Sequence, residues 1–321
     1  MLGGYAMVCR EPPARLLQHA DRDNQLVIDN GDISRQRDMR LHRPTPFSRP
    51  LGDALPCAPP PTPVSERMMQ ETHTMNLRAT DATIEAEDSL AILSEQFPGS
   101  ERERLHHLPL FLPPHVLRRI AFFNDLYRRI LTVPGVVMEF GVRFGRDLAI
   151  LDGLRTLHEP LNYSRTIVGF DTFTGFPSID ERDGNHEMVR VGGLATGEGY
   201  EDFLTDVLAA REQMSPFSHI RKFDVRAGDA PEQLATYLDE RPQTIVAFAY
   251  FDMDIYEPTK RCLELLLPHV TKGSVIGFDE LNSAEHPGET LALREVLGLD
   301  RIRLQRTGHA NPGLPSFLVI D

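Results

Sequence analysis

Lysine is nearly missing from this chain of 321 residues: Lys222, Lys260 and Lys272 stand alone, and arginine supplies the rest of 34 positive charges against 47 Asp and Glu. That scarcity reads as a coding bias of the source genome and carries no mechanism. The deficit of positive charge, a net −13, argues against a surface that tracks a phosphate backbone, so no nucleic acid is expected as partner. Cysteine is also scarce. Cys9, Cys57 and Cys262 are scattered, odd in number and without a CxxC pair, which excludes a disulfide framework and a thiolate zinc knuckle. No apolar run approaches the roughly 18 residues of a bilayer span, and a basic start followed by an apolar stretch is missing from the N-terminus. The expectation is a cytoplasmic protein without a membrane partner. With 41% hydrophobic and 25% charged residues, the chain can bury a full core, as one large domain with an appendage.

The appendage is residues 1–80. RPTPFSRPLGDALPCAPPPTP (43–63) is crowded with proline, and its flanks show no sustained apolar period, the composition of a disordered extension. Acidic and basic residues balance up to Met75, 9 of each, so the whole net charge belongs to the remainder of the chain. Met68, Met69 and Met75 are candidates for an alternative start.

From about residue 112 the pattern becomes periodic. Val116, Ile120, Phe123 and Leu126 share one helical stripe, and short apolar runs then alternate with amphipathic segments. The runs are GVVMEF (135–140), TIVGF (166–170), TIVAFAYF (244–251), GSVIGF (273–278) and SFLVI (316–320). Near-continuous apolar strands between helices specify a parallel sheet covered on both faces, a doubly wound α/β domain over 81–321. No internal repeat competes with it.

Four constellations carry chemistry. In VVMEFGVRFGRDLAILDGLRTLH the strand ends at Glu139, Gly141 and Gly145 flank a tight turn, and the next helix buries Leu148, Leu151, Leu154 and Leu157. Such a turn lets a ligand approach bare backbone at a helix N-terminus. The spacing is E-x-G-x-x-x-G; the G-x-G-x-x-G that seats a pyrophosphate is missing, which counts against NAD. In IVGFDTFTGFP, Asp171 closes the second strand, where an acid accepts hydrogen bonds from two ribose hydroxyls or serves as a turn residue, and Phe173, Gly175 and Phe176 shape the adjoining loop. Asp252 and Asp254 close the third run and Asp279-Glu280 the fourth. In a parallel sheet these acids emerge at one carboxyl edge from strands about 4.8 Å apart. Like charges so close need protons or a cation, and an all-oxygen set suits Mg²⁺; in the plainer alternative some of them cap helices. Last, Gly228 and Asp229 end a further expected strand and precede the helix of APEQLATYL, where Asp229 holds an adenine ring or serves as N-cap. His186 and His286 lie in loops beside these sites and could orient a substrate or act as a base.

Taken in order, E-F-G-x-x-x-G, F-D-T-F-x-G-F-P, F-D-M-D-I-Y-E-P-T and F-D-E resemble the macrocin O-methyltransferase (TylF-type) family of class I S-adenosylmethionine-dependent methyltransferases, over about residues 115–321. The resemblance implies a Rossmann-like seven-stranded, mostly parallel sheet with helices on both faces and the last strand antiparallel. It implies S-adenosyl-L-methionine as cofactor, Mg²⁺, and a hydroxylated small-molecule acceptor such as a sugar of an antibiotic or other secondary metabolite. Position by position, Glu139, Gly141 and Gly145 match the motif around the cofactor's methionine part and Asp171 its ribose acid. Asp252 and Asp279 match metal ligands, with Glu280 where members often carry a second Asp, and Asp254 matches the general base.

On this reading the chain is an enzyme that places a hydroxyl in line with the methyl carbon. An amine acceptor, a non-catalytic cofactor-binding module of the same fold, and a nicotinamide oxidoreductase are the alternatives, the last set back by the missing glycine motif. Residues 178–218 read as a polar lid or substrate loop. The helices before residue 130 cover the cofactor or form a homodimer contact.

Overall fold

The computed structural model describes residues 80–308 and 315–321. The expected extension and the alternative starts lie outside the described residues. Thr80 caps the first helix by accepting from the Thr83 backbone, and α1 runs Asp81–Glu95. Ser100 and Glu103 form a reciprocal capping box for α2 (Glu101–His106). α3 (Pro114–Arg129) starts on a proline and turns Phe122, Phe123, Leu126 and Tyr127 into the interior.

The alternating part comes next: β1 (Val136–Phe140), α4 (Arg146–His158), β2 (Ile167–Asp171), α5 (Tyr200–Glu212), β3 (Phe223–Ala227), α6 (Ala230–Glu240), β4 (Val246–Phe251), α7 (Tyr256–Leu266), β5 (Val270–Phe278), α8 (Gly288–Leu297) and β6 (Ser316–Val319). The strands lie in the order β3-β2-β1-β4-β5-β6. All pairs are parallel except β5–β6, which is antiparallel. Six strands are described, where the family resemblance implied seven. Before β6 the described residues contribute a single antiparallel bridge, Gln305–Phe317, with hydrogen bonds of 2.8 and 2.9 Å in the two directions. The charged residues around Gln305 do not extend that bridge into a ladder.

Side chains alternate across the sheet and build two cores. On one face Val137, Ile167, Phe248, Tyr250 and Val275 meet the buried faces of α3, α4 and α5. On the other, Met138, Val168, Ala249 and Ile276 meet α6, α7 and α8. Across that second face runs a row of stacked rings, Phe170–Phe140–Phe251–Phe278, with centroids 5.0, 4.7 and 5.2 Å apart. Strand register pairs these four residues directly. Each is followed by a residue of the carboxyl edge: Gly141, Asp171, Asp252 and Asp279. The row therefore sets the four at one level.

Two local expectations are corrected. Leu157 is 68% exposed while Leu148, Leu151 and Leu154 are buried. A three-residue step falls behind a helix of about 3.6 residues per turn by about 60° each time, so the fourth leucine has rotated off the face. The long loop expected over 178–218 contains α5, whose Leu204 and Leu208 are buried against the first core.

Candidate active site

Strand order reverses between β1 and β4, and in open α/β sheets ligands bind outside the carboxyl ends at such a reversal. Glu139, one residue before the end of β1, is 1% exposed. Its Oε2 has no hydrogen-bond partner among the described residues. Burial, with Asp147 and Asp252 nearby, pushes its carboxyl well above the usual range. Gly141 follows with φ +90°, and a Cβ there would collide with the carbonyl oxygen of Asp252, so this crossing of β1 and β4 accepts only glycine. Gly145 caps α4 in the left-handed region. Asp171 ties the turn to its neighbour: Oδ2 accepts from the Arg143 backbone at 2.7 Å and Oδ1 from the Phe173 backbone at 2.6 Å. Both Arg143 and Phe173 sit at positive φ, 48° and 57°, conformations of the sparsely populated kind that cluster at functional sites. Burial raises Asp171 against backbone hydrogen bonds from Arg143, Phe173 and Val142.

Between β1, β4 and β5 the acids meet an arginine. Arg119 of α3 donates from Nε to Asp147 Oδ2 at 3.0 Å and from Nη2 to Asp252 Oδ2 at 3.0 Å, and its Nη1 pairs with Asp279. Its guanidinium carbon lies 5.1 Å from the ring centroids of both Phe123 and Tyr250. Tyr250 in turn donates its hydroxyl to Asp279 Oδ1 at 2.7 Å. Gly277 makes room for that ring, since a Cβ there would lie 2.7 Å from Tyr250 Cδ2. Arg146 grips Asp147 at 2.8 Å. Burial alone would raise Asp147, but the two arginines hold it at about 2. Burial and the neighbouring Asp279 push Asp252 well above the usual carboxylate range. Side-chain exposure rises from 3% at Asp147 and 11% at Arg119 to 18% at Asp279 and 25% at Asp252, so the cluster opens outward from a closed floor.

Beside it lies a second group. Ligand atoms of Asp254, Glu280 and His286 fall within 4.8 Å of one another. Asp254 has φ +61°, a conformation pinned by Glu289 of α8. That fully buried carboxylate accepts from the backbones of Met253 at 3.1 Å and Asp254 at 3.4 Å with one oxygen, and from Glu280 at 3.1 Å with the other. One side chain thus fixes both acidic corners. Burial and Asp279 push Asp254 up to about 7; burial, Asp279 and Asp254 push Glu280 to about 8. Burial lowers His286, whose ring is 5.1 Å from that of His186. His186 is carried in by a loop fastened through Asp183, which accepts from the Tyr256 backbone at 2.6 Å.

The edge thus gathers Glu139, Gly141, Asp252, Asp254, Asp279 and Glu280, with Asp171 and the Gly145 turn adjoining. Asp229 caps α6, accepting from the Glu232 backbone at 3.3 Å. Sequence reasoning missed Arg119, Asp147, Asp183 and Glu289. Arg119 had a signal: it stands three and four residues before Phe122 and Phe123 on the helical face that turns inward, a charge where the stripe calls for an apolar residue. Asp147 and Glu289, in first helical turns, read as ordinary N-terminal acids.

The fold is that of a methyltransferase. CalS11, the calicheamicin methyltransferase, is 42% identical to this chain in its crystal structure, with a TM-score of 0.73 over 75% of this chain and 94% of CalS11. An apo structure of CalS11, a TDP-rhamnose 3′-O-methyltransferase of calicheamicin biosynthesis, is 40% identical, with a TM-score of 0.67 over 75% and 96%. No protein-family model matches the sequence, and no curated protein matches it. The chain belongs to the class I O-methyltransferase family of CalS11. No helix among the described residues is long and apolar enough to cross a membrane.

Proposed function

We propose that this protein is an S-adenosyl-L-methionine-dependent O-methyltransferase, of the macrocin type in its D-x-D-x-Y-E-x-T block, acting on a sugar hydroxyl of a nucleotide-linked or natural-product acceptor. The observation that supports it is Asp254, a carboxyl held near pKa about 7 at the carboxyl edge in a chain 42% identical to a methyltransferase. The cofactor, when bound, supplies a methyl group on a positively charged sulfur. The residues fit it. The unmatched Glu139 Oε2 offers an acceptor for its amino group, and the Gly141–Gly145 turn offers backbone without side chains. Asp171 stands at the end of β2 as the ribose-side acid, and Asp229 stands at the neighbouring helix start for the adenine side.

An alkyl hydroxyl is a poor nucleophile at neutral pH, so its proton must be taken by a base of matched pKa, and Asp254 supplies that base. The acid-rich edge also favours binding of a cationic cofactor. Magnesium at Asp252, Asp279 and Glu280 fits less well, because Arg119 already holds the first two.

The test is transfer of labelled methyl from S-adenosyl-L-methionine to nucleotide-linked deoxysugars and glycosylated natural products, with the product mapped by NMR. Label on a sugar oxygen supports the reading. Label on nitrogen, or transfer to none of the acceptors, contradicts it.

A further inference from the structure

The carboxyl edge already contains a cation. Arg119 reaches three carboxylates on three elements, Asp147 of α4, Asp252 after β4 and Asp279 after β5. It does so from a slot that fits a planar fork: Phe123 and Tyr250 rings flank it at 5.1 Å, and the Tyr250 hydroxyl donates to the same Asp279 oxygen that Arg119 holds. Lysine could not make these contacts together, because an ammonium is a point charge without a bidentate plane or a face to stack. Asp252 and Asp279 are also two of the three acids that the family resemblance assigns to a metal. A guanidinium and a divalent ion would draw on the same two carboxylates, of which Arg119 takes Asp252 Oδ2 and Asp279 Oδ1, and their like charges repel at contact distance.

We propose that Arg119 is the resident counter-cation of the Asp252–Asp279 pair and competes with divalent cations for it. The folded chain keeps this pair neutralised with its own side chain, and an ion reaches both acids only when Arg119 withdraws. Among the described residues, the group of possible ligands that Arg119 does not touch is Asp254, Glu280 and His286. Arg119 is thus a positioning residue: it sets the charge beside Asp254 and determines which metal chemistry the edge can accept. The inference deepens the reading of this edge as the reaction site and rests on it for its consequence. Its test uses neither cofactor nor acceptor, so failure of the competition and failure of methyl transfer are observed separately.

Mn²⁺ is the probe, because it takes oxygen ligands as Mg²⁺ does and its free form is counted by electron paramagnetic resonance. Full-length wild type is compared with Arg119→Gln, Arg119→Lys and the double variant Arg119→Gln with Asp252→Asn, each also melted with and without Mn²⁺. Arg119→Gln is expected to bind Mn²⁺ about tenfold more tightly than wild type or better, and to gain more in melting temperature from it, since the ion now supplies the missing charge. Arg119→Lys is expected between the two, and the gain is expected to vanish in the double variant. Equal or weaker Mn²⁺ binding by Arg119→Gln, or a gain that survives Asp252→Asn, overturns the proposal. If Arg119→Gln does not fold, Arg119→Lys carries the comparison: tighter binding than wild type supports competition, and equal or weaker binding overturns it.

Discussion

Asp254 is a carboxyl that the fold obliges to hold a proton long after an ordinary aspartate has lost it. If it is the general base, turnover rises with pH through about 7 and the rising limb disappears in Asp254→Asn, whose rate is lower by about 10²–10⁴. A pH–rate profile at saturating acceptor checks both. The same shift predicts a stability effect. Asp254 and Glu280 titrate near about 7 and about 8 in the folded chain, whereas unfolded carboxyls titrate near about 4. Between those limits the native state binds more protons than the unfolded state, so these two groups make stability fall as pH rises. Denaturant unfolding at several pH values should show that downward slope flattened in Asp254→Asn with Glu280→Gln. An unchanged slope would show that the two acids are not protonated in the native state. The acids themselves were legible, because each follows an apolar run that ends at the edge. The pairings of Arg119 and Glu289 were not, although Arg119 shows as a charge on an apolar face: the partners come from 28 or more positions away for Arg119 and up to 36 for Glu289, and a sequence pattern carries no such pairing.

Among the elements, the four-ring row of Phe140, Phe170, Phe251 and Phe278 does the aligning. The repeated pattern of a phenylalanine followed by glycine or aspartate is visible in the sequence. That the rings stack into one row follows only from strand order. All six described strands could be read from apolar runs and the turn at Gly228, because buried parallel strands leave a continuous signal. Helix α5 could not, since its two buried leucines sit among polar residues inside a long polar stretch. At the crossing of β1 and β4, Gly141 has no room for a side chain and lies at φ +90°. Gly141→Ala is expected to destabilise the fold by about 1–3 kcal/mol or more, from backbone strain and displacement of the Asp252 carbonyl. The midpoint of denaturant unfolding measures it, and an unshifted midpoint would contradict the close approach.

At the scale of the molecule, β1 and β4 flank the reversal of strand order, and the cofactor side and the acidic side meet across it. On the proposed function, Glu139, Gly141 and Asp171 serve one and Asp252, Asp254, Asp279 and Glu280 the other, while Arg119 with Glu289 fastens the acidic corners together. The family resemblance carried the chemistry of this division, since charge alone does not distinguish methyl transfer from other reactions at an acidic edge. The most direct measurement of the central claim is calorimetric titration with S-adenosylhomocysteine of wild type, Asp171→Ala and Asp254→Asn. The account predicts saturable binding by wild type and Asp254→Asn, and loss of binding in Asp171→Ala. No binding by folded wild type, or equal binding by all three, would contradict it.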